Sequence, residues 1–136
     1  MISSLETLKA HPLVAILRGV TPDKVLEVAQ LLFDAGFRVI EVPLNSPQAL
    51  LSIEKLHRAM GERVMVGAGT VLTTEQVETC AQAGATLILS PNMNPRVIGR
   101  SRERGLLSVP GVATPSEGFD ALDAFLSSPM PILSTS

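Results

Sequence analysis

The chain has 136 residues, of which 46% are hydrophobic and 18% charged, and its formal net charge at pH 7 is −2. This length suits a single domain, and the apolar content argues against an intrinsically disordered chain. The sequence has no Trp, no Tyr and no Lys/Arg cluster, which argues against nucleic acid as a partner and favours a small molecule.

The N-terminal segment MISSLETLKAHPLVAILRG has an acid and a lysine before an apolar stretch of five residues. That stretch is too short for a signal peptide or a membrane span, so the sequence predicts a cytoplasmic protein with no membrane contact. The lone cysteine, Cys80, has no partner for a disulfide or a zinc site and is interpreted as a buried residue on a helix.

Five short aliphatic runs recur along the chain, with starts 20 to 25 residues apart. They are apolar at nearly every position, which is typical of strands buried on both faces of a parallel sheet. A sixth segment, PILS at 131–134, is a poor strand candidate. The five predicted strands are LVAIL (13–17), RVIEV (38–42), RVMVG (63–67), TLILS (86–90) and LLSVP (106–110).

The segments between these runs have the apolar spacing of helices, which predicts a β-α unit repeated five times. Thr73 with Gln76 resembles a capping box at the start of one helix. Each predicted helix is followed by a glycine that suits a left-handed C-cap. These glycines are Gly36, Gly61, Gly84 and Gly105.

Two α/β architectures fit this repeat: a complete, doubly wound open sheet of five strands, or the first five units of a (β/α)₈ barrel. In both, ligands bind at the carboxyl ends of the strands. The residues that close the five runs are therefore the candidates for function.

The strand ends supply groups that suit a small oxygenated anion. Arg18 can bind a carboxylate through two hydrogen bonds, and Thr70 can donate to the same group. Glu41 lies inside an apolar run, so burial should raise its pKa toward neutrality and make it a general acid/base. Pro91 stiffens the rim, and GAGT at 67–70 exposes the backbone or makes a tight turn.

Simpler interpretations remain open for Arg18 and Glu41. Arg18 could be a surface residue, and Glu41 could form a structural ion pair with Arg18 or Arg38. GAGT lacks the third glycine of a dinucleotide-binding fingerprint.

Five stretches together resemble the 2-keto-3-deoxy-6-phosphogluconate/4-hydroxy-2-oxoglutarate (KDPG/KHG) aldolases over residues 13 to about 122. Asn45 resembles the galactonate-type members, since the gluconate-type members typically carry an arginine there. The stretches are VAILRGVTP, AGFRVIEVPLNSP, VGAGTVLTTEQV, AGATLILSPNMNP and PGVATPSE.

The resemblance implies a (β/α)₈ barrel, a homotrimer and aldol cleavage without a metal or cofactor. The implied substrate is a 2-dehydro-3-deoxy-6-phospho sugar acid of galactonate or gluconate type, and the products are pyruvate and D-glyceraldehyde 3-phosphate. In that chemistry a lysine forms a Schiff base and a glutamate transfers protons. Glu41 matches the glutamate, Arg18 and Thr70 match the carboxylate binders, and Pro91 matches a proline beside the reacting carbon.

One feature departs from the family: no lysine follows residue 55. Lys9, Lys24 and Lys55 are predicted on the N-terminal segment and on helices, facing away from the strand ends. We therefore expect a C-terminally truncated aldolase, with a partial barrel domain at 1–124, an atypical Ser/Pro-rich tail at 125–136, and little or no activity. The alternative is a complete five-strand, doubly wound domain that binds a small acid or regulates without catalysis.

Overall fold

The computed structural model describes residues 3–131. Five strands alternate with six helices in this part of the chain. The candidate strand PILS extends beyond the described residues. The strands are β1 (Val14–Ile16), β2 (Val39–Pro43), β3 (Met65–Gly69), β4 (Leu87–Ser90) and β5 (Leu107–Pro110), and the helices are α1 (Ser4–Ala10), α2 (Val25–Asp34), α3 (Ala49–Met60), α4 (Thr74–Ala83), α5 (Pro95–Glu103) and α6 (Pro115–Ser127).

All neighbouring strands pair in parallel, and their order in the sheet is β1-β2-β3-β4-β5. A doubly wound sheet reverses its strand order at a switch point, whereas a barrel adds strands in sequence. The sheet has no such reversal, so the doubly wound alternative is wrong for the described residues. The architecture is of the barrel type, and the barrel is not closed by these five strands.

The predicted strands are confirmed, but β3 lies two residues later than its apolar run indicated. It begins at Met65 and continues through Gly67 and Gly69. Glycine is a weak strand former, so the sequence analysis placed both glycines at or beyond the strand end. In the structure they pair with β2, with Gly67 opposite Glu41 and Gly69 opposite Pro43.

The two faces of the sheet bury different sets of residues. On the outer face, Ile40, Ala68 and Ile88 pack with side chains from α2 to α5 in the main core. On the opposite face, called the inner face below, Val39, Met65 and Leu87 form a second cluster, which Leu8 of α1 also contacts. Because side chains alternate along a strand, Glu41 follows Val39 on the inner face.

The helix termini follow most of the sequence signals. Thr73 and Gln76 form the predicted capping box, and the predicted left-handed C-cap is present at Gly36, Gly84 and Gly105. Gly61 differs, because its φ is −60°. A Cβ there would collide with the backbone oxygen of His57, so close packing, and not left-handed backbone, accounts for this glycine.

Helix α6 packs beside α5 but buries none of its own residues. Arg102 of α5 lies over the Phe125 ring, 4.3 Å from its centroid. The helix crosses the proposed boundary at residue 124, and the division into domain and tail stays a prediction. Within the described residues no helix is both long enough and apolar enough to cross a membrane. The exposed apolar side chains of α6 are Phe119, Leu122, Phe125 and Leu126.

Candidate functional site

Glu41 is the third of the five residues in β2, and only 4% of its surface is exposed. Its neighbours in the sheet are Ile16 on β1 and Gly67 on β3. Glu41 is therefore two residues from the carboxyl end of β2 and opposite the last residue of β1, and its side chain is on the inner face.

Two glycines leave room for the Glu41 side chain against β3. A Cβ on Gly67 would lie 3.2 Å from Cβ of Glu41, and a Cβ on Gly69 would lie 2.6 Å from both Cδ and Oε1. The side chain thus passes over Gly67, and its carboxylate lies on the backbone at Gly69. The GAGT segment is strand with open backbone over its first three residues, and not a tight turn.

Burial raises the pKa of Glu41 to about 7, and the positive charge of Arg18 opposes this rise. The Oε2 atom of Glu41 is buried and has no hydrogen-bond partner among residues 3–131. Arg38 is not its partner, because that guanidinium donates to the backbone oxygens of Phe33 and Phe37. The carboxyl group is therefore available to exchange a proton near neutral pH.

Arg18 follows β1 at the carboxyl edge of the sheet and is exposed. The preceding residue, Leu17, donates its backbone N–H to the backbone oxygen of Glu41 over 2.9 Å. The backbone N–H of Gly19 donates to Oγ of Ser46 over 3.0 Å. These bonds tie the backbone on both sides of Arg18 to β2 and the loop after it, and the charge of Arg18 acts on Glu41.

Ser46 is a supporting residue that the sequence analysis did not single out. It is 6% exposed, and its hydroxyl also donates to the backbone oxygen of Leu17 over 3.5 Å. The only sequence signal is a serine in the loop that directly follows a buried strand.

Thr70 follows β3 directly and has a φ of 57°, which lies in the left-handed region. Such a conformation is a clear outlier for a β-branched residue and costs free energy, so the surrounding contacts must maintain it. The next residue contributes one of them, because the backbone N–H of Val71 donates to the backbone oxygen of Leu89 over 3.1 Å. Backbone strain of this kind is common in binding sites.

Pro91 follows β4 directly and is exposed at the same edge. The backbone of Gly111 crosses close to it, donating from N–H to the oxygen of Ser90 over 2.9 Å. A Cβ on Gly111 would lie 2.6 Å from the carbonyl carbon of Pro91. All four predicted site residues thus lie along the carboxyl edge of β1 to β4, while their roles stay predictions.

The three lysines lie where the sequence analysis expected them. Lys9 is exposed on α1, and Lys24 precedes α2 and pairs with Glu27, with 3.3 Å between Nζ and Oε2. Lys55, on α3, donates from Nζ to the backbone oxygen of Pro22 over 3.0 Å. Each belongs to the helical layer or its connections, and none is on a strand.

The described residues offer an acid, a cation and a strained hydroxyl residue at one edge, which suits recognition of a small acid and movement of a proton. Among residues 3–131, no three His, Cys, Asp or Glu side chains cluster as metal ligands would. The buried Cys80 is unpaired, and burial raises the pKa of its thiol to about 12. This thiol is therefore unsuited to act as a nucleophile near neutral pH.

Comparison with known proteins identifies relatives of the whole described fold. Residues 5–128 match the family model for KDPG and KHG aldolase. The chain is 48% identical over 113 residues to 2-dehydro-3-deoxy-6-phosphogalactonate aldolase of Escherichia coli K12, an alignment that covers 83% of this chain and 55% of the relative. It is 45% identical to the probable enzyme of that name from Rhizobium meliloti, covering 84% and 54% of the two chains.

Comparison with a solved structure points to the same family. The crystal structure of KDPG aldolase from Legionella pneumophila, with pyruvate captured as a covalent carbinolamine intermediate, superposes with a TM-score of 0.80 at 28% identity. The superposition covers 88% of this chain and 57% of that one. The chain therefore spans about half the length of the relatives that it matches.

Proposed function

Because the chain belongs to the KDPG and KHG aldolase family, we propose that it carries the proton-transfer and carboxylate-binding part of a class I aldolase site. The proposed reaction is reversible cleavage of 2-dehydro-3-deoxy-6-phosphogalactonate, or of the gluconate epimer, to pyruvate and D-glyceraldehyde 3-phosphate. The names of the two curated relatives reported above support the galactonate substrate. Exposed Asn45, in the loop after β2, is the residue that favours it in the sequence.

The observation that carries this proposal is the buried carboxyl of Glu41, whose pKa is raised to about 7. A general acid/base works best when its pKa is close to the working pH, since it must both take and return a proton. In the cleavage direction Glu41 takes the proton of the C4 hydroxyl as the C3–C4 bond breaks and its electron pair moves toward the imine. Glu41 then returns a proton to C3, which becomes the methyl group of pyruvate.

Arg18 and Thr70 are proposed to bind the substrate carboxylate, and Pro91 to contact the reacting carbon. An exposed guanidinium at the strand end can approach a carboxylate with two parallel hydrogen bonds. The strained backbone of Thr70 fits a binding role, because strain of this kind collects where geometry matters to a ligand. A homotrimer is proposed from the family resemblance alone.

The amine for the Schiff base is the part of the site that this sequence does not supply at the strand ends. Imine formation requires an amine within reach of the bound carbonyl. Lys55 is engaged with Pro22, and Lys9 and Lys24 are exposed on the helical layer. We therefore propose that the 136-residue chain by itself has little or no aldolase activity.

Trapping with borohydride tests this proposal. The chain is incubated with pyruvate and sodium borohydride, and the mass of the intact protein is measured. We expect no stoichiometric adduct from this chain, and an adduct together with cleavage when it is fused to the C-terminal units of a full-length relative. An adduct mapped to Lys9, Lys24 or Lys55 would contradict the proposal.

The exposed Arg18 beside an acid also permits binding without catalysis, and NMR with the fused chain tests this alternative. Pyruvate that shifts the NMR signals of Arg18 and Thr70, in a fused chain that forms neither adduct nor product, would favour a binding domain over an aldolase.

A further inference from the structure

We propose that Gly69 is a positioning residue, whose missing side chain creates the space in which the Glu41 carboxylate is held. Its importance for catalysis rests on the function proposed for Glu41, but the positioning itself does not. The family match assigns no role to this glycine, and the sequence indicates only an exposed backbone or a tight turn for GAGT.

Backbone conformation does not explain why position 69 is glycine. The glycines with positive φ are Gly19, Gly36, Gly84 and Gly105 among the described residues, and Gly69 is not one of them. It is the last residue of a fully buried strand, where it pairs with Pro43 of β2. Space is the remaining physical reason for a residue without a side chain.

The neighbouring atoms identify what occupies that space. The three heavy atoms nearest to a Cβ at Gly69 are Oε2, Cδ and Oε1 of Glu41, so the added methyl would overlap the whole carboxylate. At Gly67 the contacts would be 3.1 Å to Leu87 and 3.2 Å to Cβ of Glu41, which small shifts can relieve. The two glycines of GAG are thus not equivalent, and Gly69 is the one that the carboxylate needs.

The direction in which the carboxylate would move is also defined. An alanine methyl at position 69 would fill the space on the β3 side of Glu41. The open side is then toward β1, where Ile16, opposite Glu41, is 54% exposed. The carboxylate would there gain water and lie on the side of Arg18. The strand partners of Glu41, Ile16 and Gly67, carry no charge, and Arg18 is the charged group that acts on Glu41. Both changes favour the ionised form of Glu41.

The test is a ¹³C NMR titration of the Glu41 carboxyl carbon in this chain. In the Gly69→Ala variant we expect the pKa to fall from about 7 by about one pH unit or more. Gly118→Ala is the matched control, because a Cβ there meets nothing within 4 Å. It should leave the pKa of Glu41 unchanged. A folded Gly69→Ala chain with the original pKa would overturn the proposal.

Shortening the acid provides a rescue experiment. Glu41→Asp withdraws the carboxylate by one methylene, so adding Gly69→Ala to it should destabilise the chain much less than Gly69→Ala alone. If Gly69→Ala alone prevents folding, the Glu41→Ala/Gly69→Ala pair should fold, because the methyl then fills the vacated space. A pair that is as unstable as the single variant would show that another contact restricts position 69.

Activity in the fused chain separates this proposal from the proposed function. If Glu41→Gln leaves cleavage unchanged while Gly69→Ala still lowers the pKa of Glu41, the positioning role stands and the catalytic role fails. If both variants slow cleavage but Gly69→Ala does not move the pKa, the positioning role fails.

Discussion

At the scale of single residues, the unusual feature is an acid with a neutral-range pKa in the middle of a buried strand. The folded chain binds the Glu41 proton more tightly than the unfolded chain, whose glutamate titrates near 4.5. The stability that protonated Glu41 contributes is therefore fully present below about pH 4.5 and is lost as the pH rises through 7. Over this pH range the loss should be on the order of 3 kcal/mol.

Urea denaturation of wild type and Glu41→Gln at pH 5 and pH 8 measures this effect. The amide cannot ionise, so its stability relative to wild type should rise with pH by the amount just given. Glu62→Gln, at an exposed site, is the control and should show no such trend. A constant difference between Glu41→Gln and wild type would mean that burial does not hold the proton.

In the fused chain, Glu41→Gln should retain the borohydride adduct but slow retro-aldol cleavage by roughly 10²-fold or more, the usual scale for a general acid/base. The reason is that imine formation and proton transfer use different groups. Coupled assay of glyceraldehyde 3-phosphate, together with the adduct mass, measures both steps. Equal turnover in the two proteins would remove Glu41 from the mechanism.

The strain at Thr70 makes a separate prediction about stability. Thr70→Gly should raise the free energy of unfolding by about 1 kcal/mol, because relief of left-handed strain exceeds the extra entropy of an unfolded glycine. Thr70→Ser keeps the hydroxyl and should stay close to wild type. Chemical denaturation compares the three proteins, and a less stable glycine variant would contradict the assignment of strain.

The sequence predicted the positions of Arg18, Glu41, Thr70 and Pro91 at one edge, because the carboxyl ends of parallel strands always meet there. It could not predict that Gly69 clears space for Glu41, since the relative height of two strands depends on their register. The strain at Thr70 was equally hidden, because threonine is an ordinary residue in extended backbone.

At the scale of elements, the loops after β1 and β2 behave as one unit through Ser46. Its hydroxyl accepts from Gly19 and donates to Leu17, and its removal leaves both backbone groups without these partners. Ser46→Ala should therefore lower the free energy of unfolding by about 1 kcal/mol or more. Ser127→Ala, at an exposed position, is the control. Equal stability of both variants would show that water replaces the Ser46 contacts.

The elements also show where apolar patterning works and where it fails. Four strands lie close to their aliphatic runs, because β-branched residues favour extended backbone, although only β2 of these four is buried at every position. The predicted position of β3 was two residues too early, because the second half of the strand is Gly-Ala-Gly and gives little apolar signal. This half is held in the sheet by its pairing with β2. Gly61 was misassigned because a glycine after a helix can serve either backbone freedom or close packing.

At the scale of the whole molecule, the apolar face of α6 contrasts with the buried outer core. Phe119 and Leu126 are each 69% exposed, so the Phe119→Glu/Leu126→Glu pair should change the free energy of unfolding by less than about 0.5 kcal/mol per site. Leu56→Ala, at a fully buried position, should cost about 2–5 kcal/mol. Thermal and urea denaturation measure both, and a large loss in the α6 variant would mean that its face is covered.

The order of the strands has a consequence for how the chain folds. Every strand pairs with the next one along the sequence, so each crossover helix closes a short loop before its strands meet. Loop-closure entropy is then lost in small steps, and a partly formed sheet can grow from any adjacent pair of strands. A substitution in a strand pair that forms after the first one should therefore alter the unfolding rate more than the folding rate, and stopped-flow measurement of both rates checks this.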